Sequence, residues 1–229
     1  MGAPTALQRA RAKPYGETLR CPAGALCLDF CNSGQGMRDH PGAEWLGDFG
    51  DLLDWLEAQG ALGAEQAKRL RRAAHAAPEA AARQWARAIE LRESLHRLLE
   101  ACALARTPAR EDLARLEREH ALSAAFTRLR WNDGRAAWTV DSSASELGAV
   151  LQPVVQSAAD LLTSARLARV RRCGNPTCSW LFIDETRNRS RRWCEMASCG
   201  NVLKVRRHRE RARKGASGAL RARGEERKP

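Results

Sequence analysis

Apolar residues recur at helical spacing through most of the first 170 positions of this 229-residue chain. Trp45, Phe49, Leu52, Leu53 and Leu56 mark one face of a helix predicted from about Glu44 to Gln59, with Gly60 as its stop. Ala64 to Ala77 is rich in Ala and Arg and helix-prone, and Pro78 closes it. Pro78 also suits the first turn of a long helix reaching about Arg106. Trp85, Ile89, Arg92, Leu95, Leu98, Leu99 and Cys102 share its mostly apolar face. Thr107-Pro108 opens a further helix, with Leu113 and Leu116 expected inward. The last long helix is predicted from about Ser143 to Ala168, and Pro153 should bend or split it.

The period changes at two places. Phe126 to Trp131 and Arg135 to Val140 flank Asn132-Asp133-Gly134, a strong hairpin signal. Leu26-Cys-Leu-Asp-Phe-Cys-Asn-Ser33 is a short apolar-rich segment that ends in a turn signal and leads into a Gly-rich loop through Gly42. The predicted fold class is mainly α. A helical N-terminal domain with a small β-hairpin element precedes a C-terminal, treble-clef-like zinc module built on four cysteines. Expected boundaries are a flexible N-terminus over 1–20, a helical domain over 21–169, the zinc module over 170–214 and a disordered basic tail over 215–229.

The zinc module rests on four cysteines in two matched pairs, Cys173 with Cys178 and Cys194 with Cys199. Each pair encloses four residues and fifteen separate the pairs, so each pair can close a tight chelate loop on one Zn²⁺. Two disulfides, or four unrelated thiols, are the competing explanations. Four sulfur ligands leave no open coordination position, so the metal is expected to be structural. Cys173-Gly-Asn-Pro-Thr-Cys178 reads as a zinc knuckle, with Gly174 and Asn175 suited to positive φ. Trp180 to Ile183 and Arg191 to Trp193 are the expected strands of its hairpin, and Trp180, Phe182 and Trp193 the expected shield against water.

Composition sets the compartment and the partners. A hydrophobic fraction of 44% can supply a core. The chain has no run of 18 apolar residues, and Met1 to Arg20 lacks the apolar stretch of a signal peptide, so a cytoplasmic protein with reduced thiols and no membrane partner is expected. Cys21, Cys27, Cys31 and Cys102 are then free thiols. Of the formal net charge of +12, the residues from Arg171 onward supply 17 Lys/Arg against 6 Asp/Glu, a net of +11. That concentration suits a polyanion, since neutralising phosphates releases condensed counterions. The helix-like run from Leu203 to Lys214 carries Lys204, Arg206, Arg207 and Arg211, the candidate nucleic-acid contacts, with Arg209 and Arg213 close by. A solvated helix serving only solubility is the plain alternative.

The run from Cys173 to Lys214, with Trp180-Leu-Phe182, Asp184, Arg191-Arg-Trp-Cys194, Met196, Cys199-Gly-Asn201 and Lys204, resembles the CGNR zinc-finger family. Upstream, Leu26 to Ser33 and Leu91-Arg-Glu93 resemble that family's ABATE-type N-terminal domain. The resemblance covers most of the chain and implies a bacterial, stress-induced transcription regulator, with zinc-bound DNA recognition coupled to a ligand-sensing helical domain. One position departs from it: the naming motif ends in Arg, whereas Val202 follows Cys199-Gly-Asn201 here.

Other candidates are weaker. Asp29, Asn32 and Arg92 are polar groups in apolar surroundings and form a candidate pocket for an unidentified small ligand, or a buried ion pair with an amide partner. The five histidines are scattered. There is no Gly-rich phosphate loop, nucleophile elbow or pair of catalytic carboxylates, which weighs against an enzyme. The competing functional class is an enzyme or small-molecule-binding protein whose zinc finger is purely structural. A homodimer is compatible with either.

Overall fold

A computed structural model describes residues 23–34, 44–141, 147–201 and 204. The expected flexible N-terminus, the basic tail, Val202, Arg206, Arg207 and Arg211 lie outside the described residues.

Six α-helices are described. They are α1 (Leu26–Ser33), α2 (Phe49–Ala58), α3 (Ala64–Ala76), α4 (Pro78–Ala103), α5 (Arg110–Ala124) and α6 (Gln152–Leu162). Two antiparallel hairpins accompany them, β1 (Thr127–Asn132) with β2 (Arg135–Val140), and β3 (Val170–Arg172) with β4 (Leu181–Ile183). The helix boundaries follow local chemistry. The Asp48 side chain accepts from the Asp51 N–H and caps α2. Pro78 occupies the first turn of α4, where its missing N–H costs nothing. Beyond α4, Ala105 turns the chain at φ 53°.

The 26-residue α4 is the axis of the molecule. Its buried face, with Ala88, Leu91, Leu95, Leu98 and Leu99, meets α1, α2 and α3 on one side and α5, β3 and β4 on the others. Phe30 of α1 and Trp55 of α2 pack with ring centroids 5.5 Å apart in the centre of this core. Three ion pairs fasten α5 to α4: Arg87 with Glu119, Arg97 with Asp112, and Arg115 with Glu90. Their carboxylates include Asp112 and Glu119, both buried.

Several expectations change at this level. The segment Leu26–Ser33, too short for its pattern to assign, is helix α1 and lies between α4 and α6. Trp45 precedes α2 rather than opening it. Leu113, expected inward on α5, is 44% exposed, and only Leu116 of that pair is buried. The helix predicted over 143–168 is split, with 3₁₀ turns at Leu147–Leu151 and Ala165–Arg169 on either side of α6. Pro153 sits in the first turn of α6, the one place in a helix where proline needs no donor. The β1–β2 turn places Asp133 at φ 50° and Gly134 at φ 75°, both left-handed, as the tight Asn-Asp-Gly turn demands.

Candidate metal centre

β3 and β4 are joined by the segment carrying Cys173 and Cys178, so the knuckle is the loop of its own hairpin. This corrects the strand pairing read from the sequence. Arg191 to Trp193 form no strand against Trp180 to Ile183, because their polar groups are engaged elsewhere. The Arg191 N–H donates to Asp184 Oδ2 at 3.0 Å, its guanidinium donates to the carbonyls of Trp193 and Cys194, and the Arg192 carbonyl accepts from the Gly174 N–H. The Arg191 guanidinium also lies 4.4 Å above the Phe182 ring.

Asp184 organises the loop between the two cysteine pairs. Its side chain is buried and accepts from the Thr186 N–H and hydroxyl as well as from Arg191. Burial acts to raise its pKa, but these hydrogen bonds prevail and hold the carboxyl below its ordinary value.

The four thiols converge, with all Sγ atoms within 4.8 Å of one another. Cys178 and Cys194 are 3.8 Å apart, Cys194 and Cys199 3.5 Å, and none forms a disulfide. A Zn–S bond of about 2.3 Å implies sulfurs about 3.8 Å apart at the corners of a tetrahedron, so the spacing fits one Zn²⁺. The surroundings fit it as well. The Cys194 N–H points at Cys173 Sγ and Asn175 Nδ2 at Cys199 Sγ, each at 3.5 Å, as donors to thiolate should. Cys173 is held strongly toward thiolate by hydrogen bonds from Cys178 and Cys194, while Cys178 is pushed up by sharing a proton with Cys173. A bound dication would deprotonate all four together, releasing their protons to solvent and leaving four thiolate ligands. Cys173, Cys178, Cys194 and Cys199 thus form a structural zinc centre that locks two otherwise separate chain segments together.

Gly174 matters for space rather than for φ. Neither Gly174 nor Asn175 adopts positive φ. A Cβ on Gly174 would lie 2.9 Å from the Trp193 ring and 3.1 Å from the Arg192 carbonyl. Trp193 also reaches Gly200, beside Cys199, so one indole covers the glycines adjoining two ligands.

The centre is fastened to the helical domain through β4. β3 uses one edge of that strand, and α1 takes the other. Asn32 Nδ2 donates to the Leu181 carbonyl at 2.9 Å, and the Leu181 N–H donates to Asn32 Oδ1 at 3.0 Å. Two residues on, the Ile183 N–H donates to the Ala23 carbonyl. His96 of α4 contacts the Ser179 carbonyl at 2.8 Å, and Arg172 pairs with Glu100. The sequence marks Asn32 as unusual but cannot supply its partner 149 positions away.

The candidate ligand trio is distributed among other partners. Arg92 is buried and forms a two-pronged bond with Glu44, plus a contact to Glu93. Asp29 accepts from the Ala23 N–H, and burial pushes its carboxyl up to about 6. Cys27 is fully buried, and burial pushes its thiol up to about 11. A separate open groove of about 530 Å³ runs beside α6, bordered by Trp138, Gln152, Gln156, Asp160 and Arg166.

A helical domain packed against a closed four-thiolate finger defines a zinc-finger protein. Two family profiles match: ABATE, described as "Putative stress-induced transcription regulator", over residues 24–165, and the CGNR zinc finger over residues 169–212. The chain belongs to the ABATE family and carries its finger of the CGNR type. No curated protein matches it. No described helix is long and apolar enough to cross a membrane.

Proposed function

We propose that this chain is a DNA-binding transcription regulator whose zinc centre presents Lys204, Arg206, Arg207 and Arg211 to the phosphates of duplex DNA. The observation that carries the reading is the charge distribution, a net of +11 from Arg171 onward against +12 for the whole chain. Lys204, exposed and helical, follows the fourth ligand by five positions and starts the basic run. The zinc fixes where that run begins, and the bonds of Asn32, His96 and Ala23 to the finger tie its origin to the helical domain. A signal reaching α1 or α4 therefore has a mechanical route to the DNA-facing segment. A ligand of the helical domain is accommodated better in the groove beside α6 than at Asp29, Asn32 and Arg92, whose polar atoms hold the fold.

The test is titration of duplex DNA at several salt concentrations. Replacing the four basic residues by Gln should flatten the dependence of log K on log salt by roughly three to four units. Equal affinity and slope for parent and variant would exclude this segment as the DNA surface.

A further inference from the structure

The β1–β2 ribbon stands out from the core. In β1, residues 128 to 131 are all exposed, as are 135, 136 and 138 in β2. Its two faces nevertheless differ sharply. The register pairs Leu129 with Trp138 and Trp131 with Ala136 on one face, and places Arg128, Arg130 and Arg135 on the other. An isolated two-stranded ribbon is marginal in water, and cross-strand apolar pairs are what hold its register. The Leu129–Trp138 pair supplies that support while remaining 57% and 64% exposed.

The opposite face then carries three cations whose only acidic companion within the ribbon is Asp133 at the turn. Arg128 leans on Asp141 at 3.4 Å and on the Ala125 and Thr127 carbonyls. Arg130 and Arg135, diagonal neighbours across the strands, form no ion pair with any described residue. Like charges so placed repel one another, and a ribbon kept only for solubility would mix signs.

We infer that this ribbon is a second DNA contact, its arginine face meeting phosphates of the duplex engaged by the basic segment after the zinc. The inference rests on the DNA-binding reading above. Charge complementarity selects the occupant. A second copy of the chain would bring the same positive face. The aromatic face offers too little to such a copy: at about 200 Å² per Trp, the exposed parts of Trp131 and Trp138 give roughly 280 Å², against about 800 Å² per partner in a stable dimer. A two-stranded ribbon also has dimensions that a DNA groove admits.

The experiment compares three full-length, zinc-loaded proteins on one long duplex: the parent, Arg130→Gln/Arg135→Gln, and the Gln replacements at Lys204, Arg206, Arg207 and Arg211. Arg128 is left alone because it ties the ribbon to the body. The ribbon variant should bind about tenfold more weakly near 0.1 M salt and lower the salt slope by about two units, with zinc content and far-ultraviolet circular dichroism unchanged. If it binds like the parent while the basic-segment variant loses affinity, the ribbon inference is wrong and the DNA-binding reading stands. If the parent itself fails to bind duplex at low salt, both fall. Loss of concentration-dependent self-association in the ribbon variant, without loss of DNA affinity, would make the ribbon a dimer surface and overturn the inference.

Discussion

Replacing Asn32 by Ala tests what fastens the zinc finger to the helical domain. Asn32 is 3% exposed and Leu181 is fully buried, so water does not reach the two groups the amide now satisfies. Truncation leaves the Leu181 N–H and carbonyl without partners at a strand edge whose other side is already taken by β3. An unsatisfied buried polar group costs about 1–3 kcal/mol, so the pair should cost roughly 2–6 kcal/mol. Partial rescue by an entering water would place the value near the lower bound. The finger should also release zinc faster, because its ligands lie on the segments that β4 anchors. A loss of about 2 kcal/mol in the closed state corresponds to about thirtyfold faster loss to a chelator, if release follows opening. Denaturant unfolding and a chromogenic chelator assay read the two effects separately. Asn32→Asp should be at least as damaging, since it removes the donor and buries a charge beside a carbonyl. If Asn32→Ala unfolds within about 0.5 kcal/mol of the parent and holds zinc equally long, the edge contact does not secure the finger.

Cys194→Ser should abolish stoichiometric zinc binding and unfold residues 173–200, because metal binding and folding are one equilibrium in so small a unit; elemental analysis giving one zinc per chain in the variant would contradict the ligand set. Gly174→Ala should destabilise the finger by about 1–3 kcal/mol through contact with Trp193, while leaving the four thiols in place; unchanged chelator resistance would show that Trp193 moves aside freely. Asp29 binds its proton more tightly folded than unfolded, so its contribution to stability is complete at pH values below its unfolded pKa and diminishes between about pH 4 and 6. Asp29→Asn should therefore be more stable than the parent at about pH 7.5, and the difference should vanish near pH 4. Equal midpoints at both pH values would show that the carboxyl is not strained by burial.

The parts of the fold legible in the sequence are those whose cause is local. The paired cysteines name their own metal, Asn132-Asp133-Gly134 names its turn, and Pro153 breaks the long helix where a missing donor requires it. The knuckle hairpin is not legible, because β3 is three residues long and two of them are arginines, a pattern no alternation rule favours. Its true pairing depends on Asp184 and Arg191 drawing the later segment into a loop. Arg92 is visible as an anomaly on an apolar face, but nothing in the chain marks Glu44, 48 positions earlier, as its partner. Leu113 keeps helical phase with Leu116 yet faces solvent, since phase alone does not say how wide a stripe the neighbours cover.

The bonds that Asn32 and Ala23 make to β4 bear on how such proteins can be rearranged in evolution. A finger that completed its own sheet could be cut out and joined to unrelated partners, as beads on a string are. This one would leave with a strand edge bare at Leu181 and Ile183, an invitation to pair with any other exposed edge. A recipient would have to cover that edge, as Asn32 and Ala23 do here. The helical domain and its finger are in that sense a single heritable part, and changes on α1 and β4 should be accepted or rejected together.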